Sequence, residues 1–564
     1  MNIYRKIISH NKKNYIRLSF YSFFIGILGL AAPIFIMQVY DRVIFYSGTD
    51  TLVSLTVGVI IALAFDFIIR QARSGLLQNV SSRIDRNLNN VIFEYFEKAP
   101  FEEIEIKSEQ HWKSYFSDVE FLRNIFGGPT IGLIFELPFL CIAMLLVYLI
   151  AEAVFIFFLA AVIFFASAAW LSNMFLGRYQ KREQESLFLA RQALNQLIAH
   201  RSTIKAIGVE DVFVKKWLSE HSELKRFSIN RGKVGDFFLN LSAVSTPSTT
   251  ILITVAGAVA VIDQSLSIGA LVAANMLVGR TIGPLQQLIN VTNLISRVRY
   301  SAGRLQDVEP SSLEKKANRL LDEAVVLENM QFNDVEFHFK GDVNKVLGGV
   351  NISLGGVGYT CVVGKNGSGK STLLKMCMGL YQPTSGEIFL GDINLKNISR
   401  DYIDEYFSFV PQDNIIFNGS IRFNLSLRDP NVAEKDLVGV CREFGFHDEV
   451  QKIEQGYEFQ VGEGGYRLSP GQRQKIAIIR SLIGPSKVII MDEPTSNLDR
   501  QSEVLLRDYF LNKSHDKHMI IATHSPYILS GASRLIIIDD GRVVLDGPGT
   551  EMLPKIGLSP FNVD

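Results

Sequence analysis

Six apolar stretches, each close to the roughly 20 residues that cross a bilayer core as a helix, crowd the first 290 positions of this chain. They span 16–40, 52–69, 129–150, 151–176, 238–262 and 268–289. The third and fourth abut at Ala151-Glu152, and the fifth and sixth turn at Asp263-Gln264-Ser265, so each pair reads as a tight hairpin. A soluble core cannot hide so many full-length runs, and the expected first domain is an all-α bundle of six membrane-spanning helices.

Lysine and arginine decide which loops stay in the cytoplasm. The N-terminal segment carries Arg5, Lys6, Lys12, Lys13 and Arg17, and the connection after the second span is rich in both residues, from Arg70 to Arg123. The connection after the fourth span carries a longer set, from Arg178 to Lys233. The opposite loops hold only Arg42. Both termini and both long connections are therefore expected on the cytoplasmic side. The connections also carry helical apolar spacing, as at Leu88, Val91, Ile92 and Tyr95, and again from Leu187 to Ile204. Their turns, near 101–117 and 206–211, are where another domain could be gripped. Asp66, Glu136 and Arg280 lie within spans, at an insertion cost of about 2.5–3.5 kcal/mol each. They are expected to face the bundle interior or pair with one another, lining a polar path or forming structural ion pairs.

After about position 325 the patterning becomes that of a soluble protein, preceded by a charged, Pro- and Ser-containing linker. The expected division is a membrane domain at 1–305, a linker at 306–325 and a second domain at 326–564. Lys+Arg and Asp+Glu both total 57 in 564 residues, so charge gives no reason to expect a nucleic-acid partner. Cys141, Cys361, Cys377 and Cys441 lack metal-site or disulfide spacing and are expected as buried small side chains. The segment before the first span lacks a cleavable signal pattern, and no domain is expected before that span.

The second domain opens with strand-like patterning at 325–339. The β-branched run 359–363 then leads into Gly364-Lys365-Asn366-Gly367-Ser368-Gly369-Lys370-Ser371-Thr372 and an apolar helix. Glycines let backbone N–H groups point inward around a phosphate chain, and the helix N-terminus adds its positive dipole end. Lys370 supplies charge toward the β- and γ-phosphates, and Ser371 a hydroxyl for Mg2+. The buried run 488–491 ends in Asp492 and Glu493. Asp492 suits the Mg2+ side of an ATP site, and Glu493 can polarise the attacking water as general base.

Between these elements lies Leu468-Ser469-Pro470-Gly471-Gln472-Arg473, and with it the domain resembles the α/β ATP-binding cassette of ABC transporters. The resemblance implies further roles. Gln412 in Val410-Pro411-Gln412 matches the Q-loop, which also touches the metal, and Asp499 matches the D-loop. His524 matches the switch histidine that reaches the γ-phosphate, and Phe339 the aromatic that stacks on adenine. Val461-Gly462-Glu463 matches the exporter X-loop. In this family two cassettes close head to tail, so one cassette per chain implies a homodimer. Each ATP is then shared with the partner's Ser469, Gly471 and Gln472. Pro470 departs from the usual glycine and removes one N–H, at a helix position where proline is tolerated.

The segment 37–43, the segment 204–210 and the stretch 270–285 resemble type I secretion ABC transporters, here without an N-terminal peptidase-like domain. That resemblance implies an inner-membrane protein moving an unfolded polypeptide, with a periplasmic adaptor (membrane fusion) protein and an outer-membrane channel as partners. An exporter of lipid, drug or small peptide is the alternative. A soluble ATPase acting on DNA or ribosomes is disfavoured by the spans, and a peptidase-transporter by the missing leading domain.

Overall fold

A bilayer core offers no water to bare backbone groups, so apolar runs of this length fold as helices. The computed structural model describes residues 3–308, 329–342, 344–355, 358–513 and 517–556. They divide into one unit of Met1–Ala99 with Ile104–Leu313, and a second of Pro100–Glu103 with Glu314–Asp564. Most of the expected linker, from 309 on, lies outside the described residues.

Among the described residues, the first unit contains six helices long and apolar enough to cross a membrane. Three of them, Thr49–Lys98, Glu152–Ala199 and Glu210–Ile262, are 50, 48 and 53 residues long. At 1.5 Å per residue each reaches about 75 Å, more than twice the roughly 30 Å hydrocarbon core. The expected helical extensions beyond the spans are therefore present. Ala151 alone separates the third and fourth spans, and Asp263 and Gln264 begin the turn between the fifth and sixth. Gly208, with φ +73°, ends the short helix at 201–207.

The first span is not the continuous helix its hydropathy suggests. It is broken into Lys12–Leu28, Ala31–Gln38, a π-helical turn at Val39–Val43 and Ile44–Tyr46. Pro33 has no N–H, which leaves the Gly29 carbonyl without its helical donor. In the π turn, Asp41 reaches the start of the Ile268–Gln306 helix. Its carboxylate accepts from Ser267 Oγ at 2.7 Å and from the Gly269 N–H at 2.9 Å. A Cβ on Gly269 would stand 2.6 Å from that carboxylate, so the close approach depends on glycine.

The charged residues in the spans, expected to face the bundle interior or pair with one another, do not pair with one another, and Glu136 and Arg280 face a cavity among the helices. Asp66 pairs with Arg70 at 2.7 Å, Glu136 with Arg73 at 2.5 Å, and Arg280 donates to backbone carbonyls. Cys141 is also a correction: it is exposed on the Pro129–Ile150 helix, while the other three cysteines are buried. On an apolar membrane-length helix a side chain can leave water without entering a protein core.

Among the described residues the second unit carries ten strands: β1 Met330–Phe337, β2 Leu347–Leu354, β3 Tyr359–Val363, β4 Ser385–Leu390, β5 Ile393–Asn394, β6 Phe407–Val410, β7 Val488–Asp492, β8 His518–Ala522, β9 Arg534–Asp539 and β10 Arg542–Pro548. A four-stranded antiparallel sheet runs β2-β1-β4-β5, and a six-stranded sheet runs β10-β9-β3-β8-β7-β6. The latter is parallel except where β10 meets β9. All of β7 is buried, and its successive side chains enter opposite cores, Ile489 and Met491 on one face, Val488 and Ile490 on the other. Within this unit Phe101 lies 6.0 Å from Tyr381, ring to ring.

Candidate functional site

Because β3, β8 and β7 are parallel neighbours, their C-terminal ends open on one edge, where α/β sheets bind ligands. The glycine-rich loop follows β3, Asp492 ends β7 with Glu493 after it, and Thr523 and His524 follow β8. Motifs more than 150 positions apart thus meet through strand order alone.

The loop is shaped as a cradle. Gly367 and Gly369 have φ of +83° and +100°, conformations that L side chains rarely adopt. Lys370 is buried at the start of the Lys370–Cys377 helix, its Nζ donating to the carbonyls of Gly364 at 2.6 Å and Lys365 at 3.1 Å. Ser368 Oγ is buried without a hydrogen-bond partner, an orphan that a phosphate oxygen would satisfy. Lys365, Asn366 and Gly367 are exposed at the rim, and Thr372 is buried beneath. Ser371 hydrogen-bonds the Asp492 carboxylate, which burial pushes above the usual range. This pair offers hard oxygen donors of the kind Mg2+ takes.

Glu493 is a non-glycine residue at φ +49°, a strained conformation costing about 1–3 kcal/mol and typical of functional positions. Its N–H continues the ladder to the Ala522 carbonyl at 2.8 Å. Burial raises its carboxyl above the ordinary range, while the neighbouring His524 opposes that rise. His524 Nε2 lies 3.7 Å from Glu493 Oε1. Gln412 is exposed two residues beyond β6, which pairs Val410 with Met491 and so ends on the same edge. Phe339 follows β1, its ring edge-on to Phe337 and Tyr381 at 5.1 and 5.8 Å.

Ser469, Gly471 and Gln472 are held elsewhere, at the start of the Pro470–Leu482 helix. Ser469 Oγ accepts from the Gln472 N–H at 3.2 Å, and Gln472 Oε1 accepts from the Ser469 N–H at 3.0 Å. This capping box closes without the N–H that Pro470 lacks. Asp499 is exposed and caps the Arg500–Lys513 helix, accepting from the Ser502 N–H at 2.8 Å. That bond holds its carboxyl below the usual range.

Gln474 was not singled out from sequence. It is 1% exposed, donates to the Pro494 carbonyl at 2.6 Å and accepts from Asn414 Nδ2 at 2.6 Å. It therefore ties together the loops after β6 and β7 and the signature helix. Its one sequence signal is an amide within the apolar stripe of that helix.

Two family profiles match the chain: "ABC transporter transmembrane region" over residues 17–285 and "ABC transporter" over residues 347–496. The alpha-hemolysin translocation ATP-binding protein HlyB of Escherichia coli O157:H7 is 29% identical over 95% of this chain and 76% of its own length. The leukotoxin translocation ATP-binding protein LktB of Bibersteinia trehalosi is 28% identical, over 96% of this chain and 76% of its own. The toxin RTX-I translocation ATP-binding protein of Actinobacillus pleuropneumoniae is 29% identical with the same coverage. A bacterial Atm1-family ABC exporter solved with ATP bound shares the fold, with a TM-score of 0.83 at 17% identity over 97% of this chain and 98% of its own. With a nucleotide-binding cassette after a multi-pass helical region, the chain belongs to the ABC transporters, as a transport-coupled ATPase of the type I secretion exporter group.

Proposed function

We propose that two copies of this chain form a homodimer in the inner membrane that uses Mg-ATP to export an unfolded polypeptide. The observation that carries this reading is similarity along 95% of the chain to proteins named for toxin translocation. Asymmetry in lysine and arginine supports both termini, the cassette included, facing the cytoplasm. The proposed division remains a membrane domain to about 305, a linker to 325 and a cassette from 326. A periplasmic adaptor and an outer-membrane channel would complete the route, by family resemblance.

In the cassette, the N–H groups of the 364–372 loop and Lys370 would hold the phosphates, and Phe339 would stack on adenine. Ser371, Asp492 and Gln412 would hold Mg2+, which when bound supplies charge neutralisation on the β- and γ-phosphate oxygens. Glu493 would take the proton from the attacking water, with His524 near the γ-phosphate. The partner's Ser469, Gly471, Gln472 and Asp499 would complete each site. Among the described residues the side-chain bonds of Ser469 and Gln472 close on each other and those of Lys370 on its own loop, which supports this sharing.

The test is reconstitution in liposomes, with ATPase activity followed as candidate secreted polypeptides, lipids and hydrophobic drugs are added. Stimulation by polypeptide, lost when its C-terminal segment is removed, is expected. Stimulation by lipids or drugs alone, with the adaptor present, would replace this reading with a lipid or drug exporter.

A further inference from the structure

The first unit holds an open-sided cavity of about 250 Å3 among the membrane helices. Its polar lining includes Ser22 of the first span, Arg70 of the second, Glu136 of the third and Arg280 of the sixth. At 1.5 Å per residue, Arg280 lies about 18 Å from Ile268 and Glu136 about 21 Å from Ile150, both well inside a roughly 30 Å core.

Charge in this cluster does not cancel. Asp66 neutralises Arg70 and Glu136 neutralises Arg73, whereas Arg280 forms no ion pair among the described residues. Two carboxylates against three guanidiniums leave one net positive charge. Arg280 is instead anchored on backbone, donating from Nη1 to the Gly29 carbonyl at 2.6 Å and from Nη2 to the Ile25 carbonyl at 3.3 Å. A guanidinium has five N–H donors, so these two bonds fix its plane and leave others for the cavity. Beside it, Ser22 is 1% exposed and its hydroxyl has no hydrogen-bond partner among the described residues. A buried orphan hydroxyl, and a cluster that stays net positive with Asp66 and Glu136 acting on Arg280, both favour an anion.

The size of the space narrows the class. Sites for drug-sized molecules run from about 300 to 1,000 Å3, so this one suits a single functional group with its adjoining chain. The flat fork of a guanidinium matches a carboxylate in two parallel bonds. We propose that Arg280 and Ser22 form a carboxylate-binding subsite on the export path, taking Asp or Glu side chains or the C-terminal carboxylate of the passing polypeptide. This rests on the polypeptide-export reading above.

The experiment uses the full-length protein in liposomes and measures the concentration of an unfolded acidic polypeptide that gives half-maximal change in ATPase rate. Three versions are compared: native, with Asp and Glu replaced by Asn and Gln, and with an amidated C-terminus. In the unaltered transporter, loss of the recognised carboxylate should raise that concentration about tenfold, the scale of a charge-assisted hydrogen bond. Which amidated version shifts identifies the source. Arg280→Gln should reduce the discrimination to less than about twofold, and Arg280→Lys, which keeps the charge but loses the flat fork, should retain only part of it. Should Arg280→Gln not fold, Ser22→Ala supplies the decisive comparison, with an expected loss of about threefold in discrimination from one hydrogen bond. Equal response of the unaltered transporter to all three versions would overturn the subsite and leave polypeptide export standing. Undiminished discrimination in both Arg280→Gln and Ser22→Ala would also overturn the subsite. No response to any polypeptide would overturn the export reading and the subsite with it. A rate change driven by anionic-lipid vesicles and abolished by Arg280→Gln, with acid and amide polypeptides alike, would assign the cavity to a lipid headgroup instead.

Discussion

Arg280 donates to the carbonyl of Gly29 at 2.6 Å, across 251 positions of chain, and Pro33 is the reason that carbonyl is open. A cation from the sixth span thereby repairs a helix break in the first. The repair needs glycine, because a Cβ at position 29 would stand 1.5 Å from Arg280 Nη2. Gly29→Ala should therefore expel the guanidinium and destabilise the membrane unit by about 1.5–3 kcal/mol, the cost of a charged hydrogen bond. Thermal unfolding in detergent measures this. Pro33→Ala, which restores the helical donor, should lessen the loss when the two changes are combined.

Glu493→Gln keeps the size of the side chain and removes its basicity. ATP binding should persist while turnover falls by at least about a hundredfold, the scale of general-base catalysis. Nucleotide binding and phosphate release, measured on the same preparation, separate the two. Near-normal turnover would remove Glu493 from the role of base.

The pH dependence follows from the same residue. Burial raises the Glu493 carboxyl, so it takes up a proton at a higher pH than an ordinary glutamate. A base must be deprotonated to act. The acid limb of kcat/KM for ATP should therefore lie above the ordinary glutamate range of about 4.3. A limb at or below that value would argue against Glu493.

Pro470→Gly returns an N–H to the signature helix. The capping box between Ser469 and Gln472 already holds that helix start, so folding should not change. If the restored amide reaches phosphate, half-maximal activity should need about two- to tenfold less ATP, for one hydrogen bond. An unchanged rate and ATP dependence would show that the position contributes no donor.

Gln474→Leu fills the same space without an amide. The Pro494 carbonyl and the Asn414 amide would each lose a partner, at about 1–3 kcal/mol for each buried group left unpaired. Melting temperature should fall, and turnover should fall further than ATP affinity because the loops after β6 and β7 lose their common tie. Calorimetry and steady-state kinetics together test this.

What was legible in the sequence shares a physical character. Membrane-length runs, the glycine loop at 364–369 and the carboxylates at the end of β7 each carry their constraint within a short window. Strand context made the site's parts recognisable before parallel order was known to gather them. Pairings such as Arg280 with Gly29, or Asp41 with Gly269, leave no local pattern, since either partner alone reads as an ordinary residue. The break in the first span was passed over because hydropathy averaged over a membrane-length window stays high there, although Pro33 is itself a local signal for it. Gln474 was masked for a related reason: a single amide among apolar neighbours does not say whether it is paired. The left-handed conformation of Glu493 is imposed by its setting after β7, and its residue type gives no hint of it.

The bond from Asp41 to Gly269 also bears on how the protein is made. Synthesis delivers the first span 228 residues before the N–H that its carboxylate finally accepts. Through the emergence of four further spans, Asp41 has neither Gly269 nor Ser267 to meet. Until then that carboxylate depends on water for the hydrogen bonds these two donors later supply. Arrival of the sixth span then exchanges water for two fixed donors. A nascent chain halted before Ile268 would carry all its earlier helices yet lack this clasp, so completion of the first span is deferred to the end of insertion.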